Sequence, residues 1–312
     1  MIAQRQSTTA LEDQFLQELA LDAPWSLIER FTSLVRESGS EEEREAAQYI
    51  AEQLDKFGVP YEVYDPEIYL SVPISASLVY EGKTVRAKPP AFSRPPGPQG
   101  LTGEAVYVPS TRPSSASNLF DSGGDIDIDV SGKIVVTEGL GLPAAVARFE
   151  AAGAIGQIHI NPGVDIHWGI CTTIWGAPDL DNAASQPKTT VISINRPDGE
   201  ALIERLKQEP LEVTLYAELR EGWFPCPIVV ADIRGQLEPD RYVLVHGHYD
   251  SWDVGIGDNA VGDATLLELA RVFHKKREHL ARGLRVAWWP GHSTGRYGGS
   301  TWYADNFGLD LA

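Results

Sequence analysis

Residues 242–273 read YVLVHGHYDSWDVGIGDNAVGDATLLELARVF, and the pattern in this stretch decides the fold. Tyr242 to His246 form a near-continuous apolar run of the kind that a strand buried on both faces requires. Gly247 to Trp252 turn polar, a glycine-rich bend follows at Gly255-Ile256-Gly257, and Asp258-Asn259-Ala260 lead into a helix. Leu266, Leu267, Leu269, Ala270 and Phe273 give that helix a broad apolar face. Lys275, Lys276 and Arg277 sit at its C-terminal end, where cations are favoured. Ile228 to Ile233 before it and Leu284 to Trp289 after it are further buried-strand runs. Strand, polar loop, helix and strand in this order predict an α/β sheet, with its polar loops beyond the carboxyl ends of the strands. Open α/β sheets hold their ligands there.

Toward the N-terminus the apolar period becomes helical. Leu11, Phe15 and Leu19, then Leu27, Phe31 and Leu34, then Ala46, Tyr49, Ile50 and Leu54 predict two or three amphipathic helices. Ser40 with Glu43 three residues on is a capping box, Gly58 is the stop, and the run Glu41 to Glu43 reads as a solvated helix start. Val59 to Tyr64 alternates like a strand. Between Val72 and Gly222 the texture changes to short β-like runs separated by Pro, Gly and Ser, as at Pro89–Gly103 and Ser110–Gly124. Strands are expected at Gly132–Val136, Ala154–Ile160, Thr190–Ile194 and Glu212–Leu219, and helices at Ala144–Ala152 and Ala201–Lys207. The reading is therefore three parts: 1–71, the helical beginning of the α/β domain; 72–222, an inserted β-rich α+β module; and 223–312, where the α/β domain resumes.

At 312 residues the chain exceeds one ordinary core, which agrees with this division. A net charge of -18 opposes binding to nucleic acid or anionic lipid, because both need clustered Lys and Arg. Met1 to Asp22 carry polar residues throughout, with no apolar run of the length a signal peptide requires, and no later stretch has the length of a membrane span, so a cytoplasmic location is expected. Cys171 and Cys226, two thiols at wide spacing, read as small buried apolar residues.

The polar loops carry the candidate chemistry. His248 offers an imidazole nitrogen to a metal ion, and Asp258 is a hard oxygen donor able to bridge two ions. Asp250 is placed to orient the His248 ring. An isolated His-X-Asp more often makes loop hydrogen bonds, and Asp258 alone is a plausible helix cap. The whole succession of strand, His-X-Asp-Ser-Trp, glycine-rich loop, Asp-Asn-Ala, helix and strand is what singles the site out. His246 reads as a packed strand residue, His159 and His167 as part of the middle module, and His274 and His279 as solvent-facing. Trp168, Trp175, Trp223 and Trp252 suit either a cleft or a core. Asp263 suits the positive end of the helix dipole.

Gly247 to Asn259, the following helix, and Arg285 to Asn306 with Gly298-Gly299-Ser300-Thr301-Trp302 resemble the two-zinc aminopeptidases and glutamate carboxypeptidases of clan MH. The Gly132–Val136 strand and the segment Ala151–Gly156 resemble the protease-associated domain inserted in many such peptidases. The resemblance implies a phosphorylase/hydrolase-like mixed-sheet catalytic domain. In it His248 binds one zinc ion, Asp258 bridges two, and Asp250 supports His248. It further implies zinc-dependent exopeptidase chemistry on a peptide or small amide substrate, with metal-activated water as nucleophile and the inserted module shaping access. A homodimer is compatible with it, and no nucleic-acid or membrane partner is expected.

Two departures from the family pattern matter. Where the family places consecutive glutamates, the first a general base and the second a zinc ligand, this sequence has His292-Ser293. His292 is expected to take part as ligand or proton-transferring group, since an imidazole exchanges protons near neutrality and its neutral ring binds zinc. The family also draws another carboxylate and another His ligand from later strands, so the sequence is expected to be the N-terminal portion of a longer protein. The alternative reading is a catalytically inactive peptidase-fold binding protein, favoured by the replaced glutamate pair.

Overall fold

The computed structural model describes residues 10–110 and 126–311. The polar start at residues 1–9, and the Ser-rich run expected at Ser110–Gly124 from residue 111 on, lie outside the described residues. The N-terminal elements are α1 (Ala10–Leu16), α2 (Asp22–Phe31), α3 (Glu41–Phe57) and β1 (Tyr61–Tyr64). There follow β2 (Glu67–Tyr80), β3 (Lys83–Ala87), β4 (Leu101–Tyr107), β5 (Ile134–Glu138), α4 (Pro143–Ala151), β6 (Gly156–Ile160), β7 (Thr190–Ile194), α5 (Arg196–Leu206) and β8 (Leu211–Pro225). The chain continues through β9 (Ile228–Ile233), β10 (Glu238–His248), α6 (Val261–Lys275), β11 (Arg282–Trp289) and α7 (Gly298–Leu311). These elements form two compact units. One takes the chain up to Ile68, Phe224–His292 and the chain from Trp302 on; the other takes Tyr69–Trp223 and Ser293–Thr301. Ser293–Thr301, read above as part of the resumed α/β segment, thus packs with the second unit.

In the first unit a four-stranded sheet has the order β1-β9-β11-β10. β10 and β11 are parallel and in register from Tyr242 and Gly283 to His248 and Trp289, so their carboxyl ends coincide. β9 runs antiparallel to β11, and β1 antiparallel to β9. The helical period read from the sequence places Leu27 and Phe31 of α2, Ile50 and Leu54 of α3, and Leu267 of α6 in one core with Trp288 of β11. Burying each such side chain contributes about 1.5–3 kcal/mol. The other face packs Val230, Ala287 and Trp289 against Tyr303 of α7.

The start of α3 corrects one expectation. Ser40 Oγ accepts a hydrogen bond from Glu43 N at 3.0 Å, and Gly58 closes the helix at φ 68. Glu43, however, is fully buried and not solvated, and its Oε2 reaches back to Gly39 N at 2.8 Å.

The second unit is built on a seven-stranded sheet, order β3-β2-β8-β4-β5-β6-β7. β4 through β7 are mutually parallel, whereas β8 is antiparallel to β4 and β3 to β2. All five residues of each of β6 and β7 are buried, as strands covered on both faces must be. The β2–β3 hairpin closes over Glu81 and Gly82, both at positive φ, which gives a two-residue turn the twist that suits the flanking strands. Both free cysteines are buried. Among the described residues no helix is long and apolar enough to cross a membrane. The chain is thus α/β with two mixed sheets.

Candidate active site

The loops leaving the coincident ends of β10 and β11 carry the expected site residues, and the structure brings four of them together: His248, Asp250, Asp258 and His292. His248 Nε2 lies 3.0 Å from Asp258 Oδ1. The nine residues between them fold back because the chain enters a π-type turn, Ile256–Ala260, through Gly255 at φ 54. A Cβ at Gly255 would fall 2.5 Å from the Asp258 backbone oxygen, so the turn requires glycine there. Asn259 Nδ2 donates to the His248 carbonyl at 3.1 Å and ties the turn to the strand end.

On its other side, His248 Nδ1 lies 3.0 Å from the Asp250 carbonyl oxygen and 3.4 Å from Asp250 Oδ1. With acceptors at Nδ1, the ring keeps its hydrogen there and turns Nε2 to Asp258. Asp250, which is fully buried, also accepts from His292 N with Oδ1 at 3.2 Å. The His292 ring stacks on that of His248, centroids 3.8 Å apart and planes 8° from parallel. The remaining histidines stand elsewhere. His246 is tilted against Trp289, and His159 is buried in the second unit beside Gln157.

Negative charge organises this site. Burial disfavours a charged His248, but the hydrogen bonds and fields of Asp250 and Asp258 override it and raise the imidazolium to about 10. The hydrogen bond from His248 holds Asp258 below the usual carboxylate range. Asp263 stands in the first turn of α6, at the positive end of the dipole as the sequence suggests. It is fully buried, neither carboxyl oxygen has a hydrogen-bond partner among the described residues, and burial pushes its pKa well up. Glu43 is likewise raised by burial and then by the field of Asp250.

The His248–Asp258 contact brings together a nitrogen and an oxygen of the kinds that zinc accepts as ligands, and fields that stabilise a proton there are of the sign that favours a cation. That pair fits part of one coordination shell. Among the described residues no group of three or more His, Cys, Asp or Glu is arranged to hold an ion, so they do not make a two-ion site by themselves.

Three further residues shape the site without having been marked in the sequence: Arg36, Ser38 and Glu43. Arg36 Nε donates to the Tyr249 carbonyl across 213 residues of sequence, and Ser38 Oγ accepts from Gly291 N across 253. No local period or spacing encodes partners that distant.

The chain is similar to several known proteins. Mouse carboxypeptidase Q is 30% identical over 223 residues, 68% of this chain and 45% of that protein. A probable leucine aminopeptidase 2 of Aspergillus oryzae is 24% identical over 272 residues, 86% of this chain and 50% of that protein. The chain therefore spans about half the length of these curated relatives. A zinc aminopeptidase from Bacillus subtilis shares the fold, with a TM-score of 0.64 at 21% identity over 92% of this chain and 65% of that one. The family model for Peptidase family M28 matches residues 229–309, which hold β9, β10, α6, β11 and all four assembled site residues. Over those residues the chain is similar to Peptidase family M28.

Proposed function

We propose that this chain contributes to a zinc-dependent exopeptidase, and that His248 and Asp258 hold metal in it. The observation that carries the reading is the 3.0 Å approach of His248 Nε2 to Asp258 Oδ1 at the strand ends, with His292 stacked alongside. Zinc, when bound, would polarise the scissile carbonyl and activate water. The chain's own residues do the rest. Asp250 holds His248 with Nε2 forward and fixes the backbone of His292, and His292 stands where a proton-transferring group is needed. The substrate is a peptide or a related small amide, and the relatives named above include both aminopeptidase and carboxypeptidase types.

A second reading, a non-catalytic peptide-binding protein, is favoured by His292-Ser293 standing where the family's glutamate pair is expected. Zinc titration, followed by assay on an amino-acid p-nitroanilide and on a dipeptide with a C-terminal glutamate, separates the two. Zinc-dependent turnover of either substrate, lost in His248→Ala, supports the exopeptidase. Peptide binding with no turnover at any zinc concentration supports the second reading instead.

A further inference from the structure

The short segment between α2 and α3 grips both site loops at once. Arg36 is fully buried, and its guanidinium donates to three carbonyls of the loop that follows β10: Tyr249 at 2.8 Å, Val254 at 2.9 Å and Gly255 at 3.1 Å. Its backbone completes the grip, with Arg36 N donating to Ser251 Oγ at 3.1 Å and Ser251 N donating to the Arg36 carbonyl at 2.9 Å. Two residues further on, Ser38 Oγ accepts from Gly291 N at 2.8 Å, immediately before His292. Glu43 Oε2, accepting from Gly39 N, fastens the segment to the first turn of α3.

We propose that Arg36 and Ser38 are paired positioning residues, which set the distance between the loop bearing Asp258 and the loop bearing His292. The proposal rests on the reading that these two loops serve one site. Among the described residues Arg36 makes no ion pair within 4.0 Å; its planar fork is matched instead to carbonyls at several points along one loop. A lysine keeps the charge but cannot reach several diverging carbonyls from one nitrogen. Ser38 Oγ accepts from one loop amide, that of Gly291, and its other partner, the Glu43 carboxyl, belongs to its own end of the molecule, so on the loops its influence falls on the His292 side. Together they hold two loops that the sheet itself releases at the ends of β10 and β11. A displacement of about 1 Å between reacting groups is enough to cost on the order of a hundredfold in rate.

Hydrogen exchange of the whole chain, read beside zinc affinity and steady-state kinetics, tests the pair. Ser38→Ala is expected to speed exchange at Gly291 and His292 at least about tenfold and to lower kcat with KM little changed. Residues 249–259 should stay protected, and Ser38→Thr, which keeps the oxygen, should restore both readings. Arg36→Lys is expected to speed exchange across residues 249–259 and to weaken zinc at least about tenfold, with β11 and the middle of α6 unaffected. Wild-type exchange at both loops, or a uniform rise that includes β11 and α6, overturns the proposal and leaves Arg36 and Ser38 as ordinary structural residues. A wild-type protein that neither binds zinc nor cleaves peptide defeats the functional reading, while the exchange pattern still decides whether the two loops are held as proposed.

Discussion

The imidazole of His292 lies flat on that of His248, with ring centroids 3.8 Å apart. Its backbone N–H is held separately, by Asp250 Oδ1 at 3.2 Å. Replacing His292 with alanine therefore removes the ring and leaves the backbone anchor. If the ring transfers a proton during amide hydrolysis, His292→Ala should lower kcat by about 10²–10⁴-fold. If it is a ligand, the same substitution should release zinc. Turnover and metal content measured on one preparation distinguish the roles, and wild-type values of both would remove His292 from the mechanism.

His248 makes the metal-free site pH-sensitive in a definite direction. Its folded pKa, raised to about 10, lies above the ordinary value of 6.5. The stability it contributes is thus fully present below pH 6.5 and is lost as pH climbs through 10, by an amount on the order of a few kcal/mol. Zinc needs the neutral ring and must displace this proton, so its affinity should rise with pH over the same window. Titration calorimetry in two buffers of different ionisation enthalpy should find about one proton released per ion near pH 7.5. Zinc affinity that is flat between pH 6.5 and 9, or unchanged in His248→Ala, would place the metal elsewhere.

The parts of this fold legible in the sequence are those whose signal is local. β9, α6 and β11 follow from apolar runs and one helical period, and the return of Asp258 to His248 follows from glycines that let the chain fold back. β2 was not legible, because Glu67–Tyr80 contains Pro73 and three serines that blur its alternation. β4 starts inside Pro89–Gly103, where Pro and Gly obscure the onset of a strand. Glu43 misled for a different reason: the capping pattern that located α3 says nothing about which carboxylate of Glu41–Glu43 faces the core. Arg36 and Ser38 are silent in the sequence because the loops they hold lie more than two hundred residues away.

His159 gives the second unit an acid limit of its own. Burial, reinforced by the positive field of Arg148, lowers its pKa from 6.5 to about 4. The unfolded chain takes up a proton between those values that the folded chain refuses, so stability rises with pH across the window and is lost as pH falls. The full difference is roughly 3 kcal/mol. Urea melts at pH 4 to 7, monitored by a probe in the second unit, should show this slope, and His159→Gln should flatten it. An equal slope in the variant would assign the acid sensitivity to other groups.

Glu43 is the buried carboxyl on which the segment between α2 and α3 closes, and its protonation state can be tested directly. Burial and the field of Asp250 raise its folded pKa well above the ordinary glutamate value. A carboxyl that holds its proton longer in the fold than in the unfolded chain makes stability fall as pH rises between the two values. Glu43→Gln keeps an oxygen for Gly39 N and removes the titration. The variant should therefore match wild-type stability at pH 5 within about 1 kcal/mol and exceed it as pH rises to 8. Glu43→Ala deletes the acceptor and leaves a cavity, so it should lose about 2–4 kcal/mol at pH 5, a loss that narrows toward pH 8 as the wild type itself becomes less stable. The discriminating measurement is the pH dependence of the difference between wild type and Glu43→Gln. If wild type gains stability relative to the glutamine variant on going from pH 5 to pH 8, Glu43 is ionised in the fold, and an unassigned cation must lie close enough to compensate it.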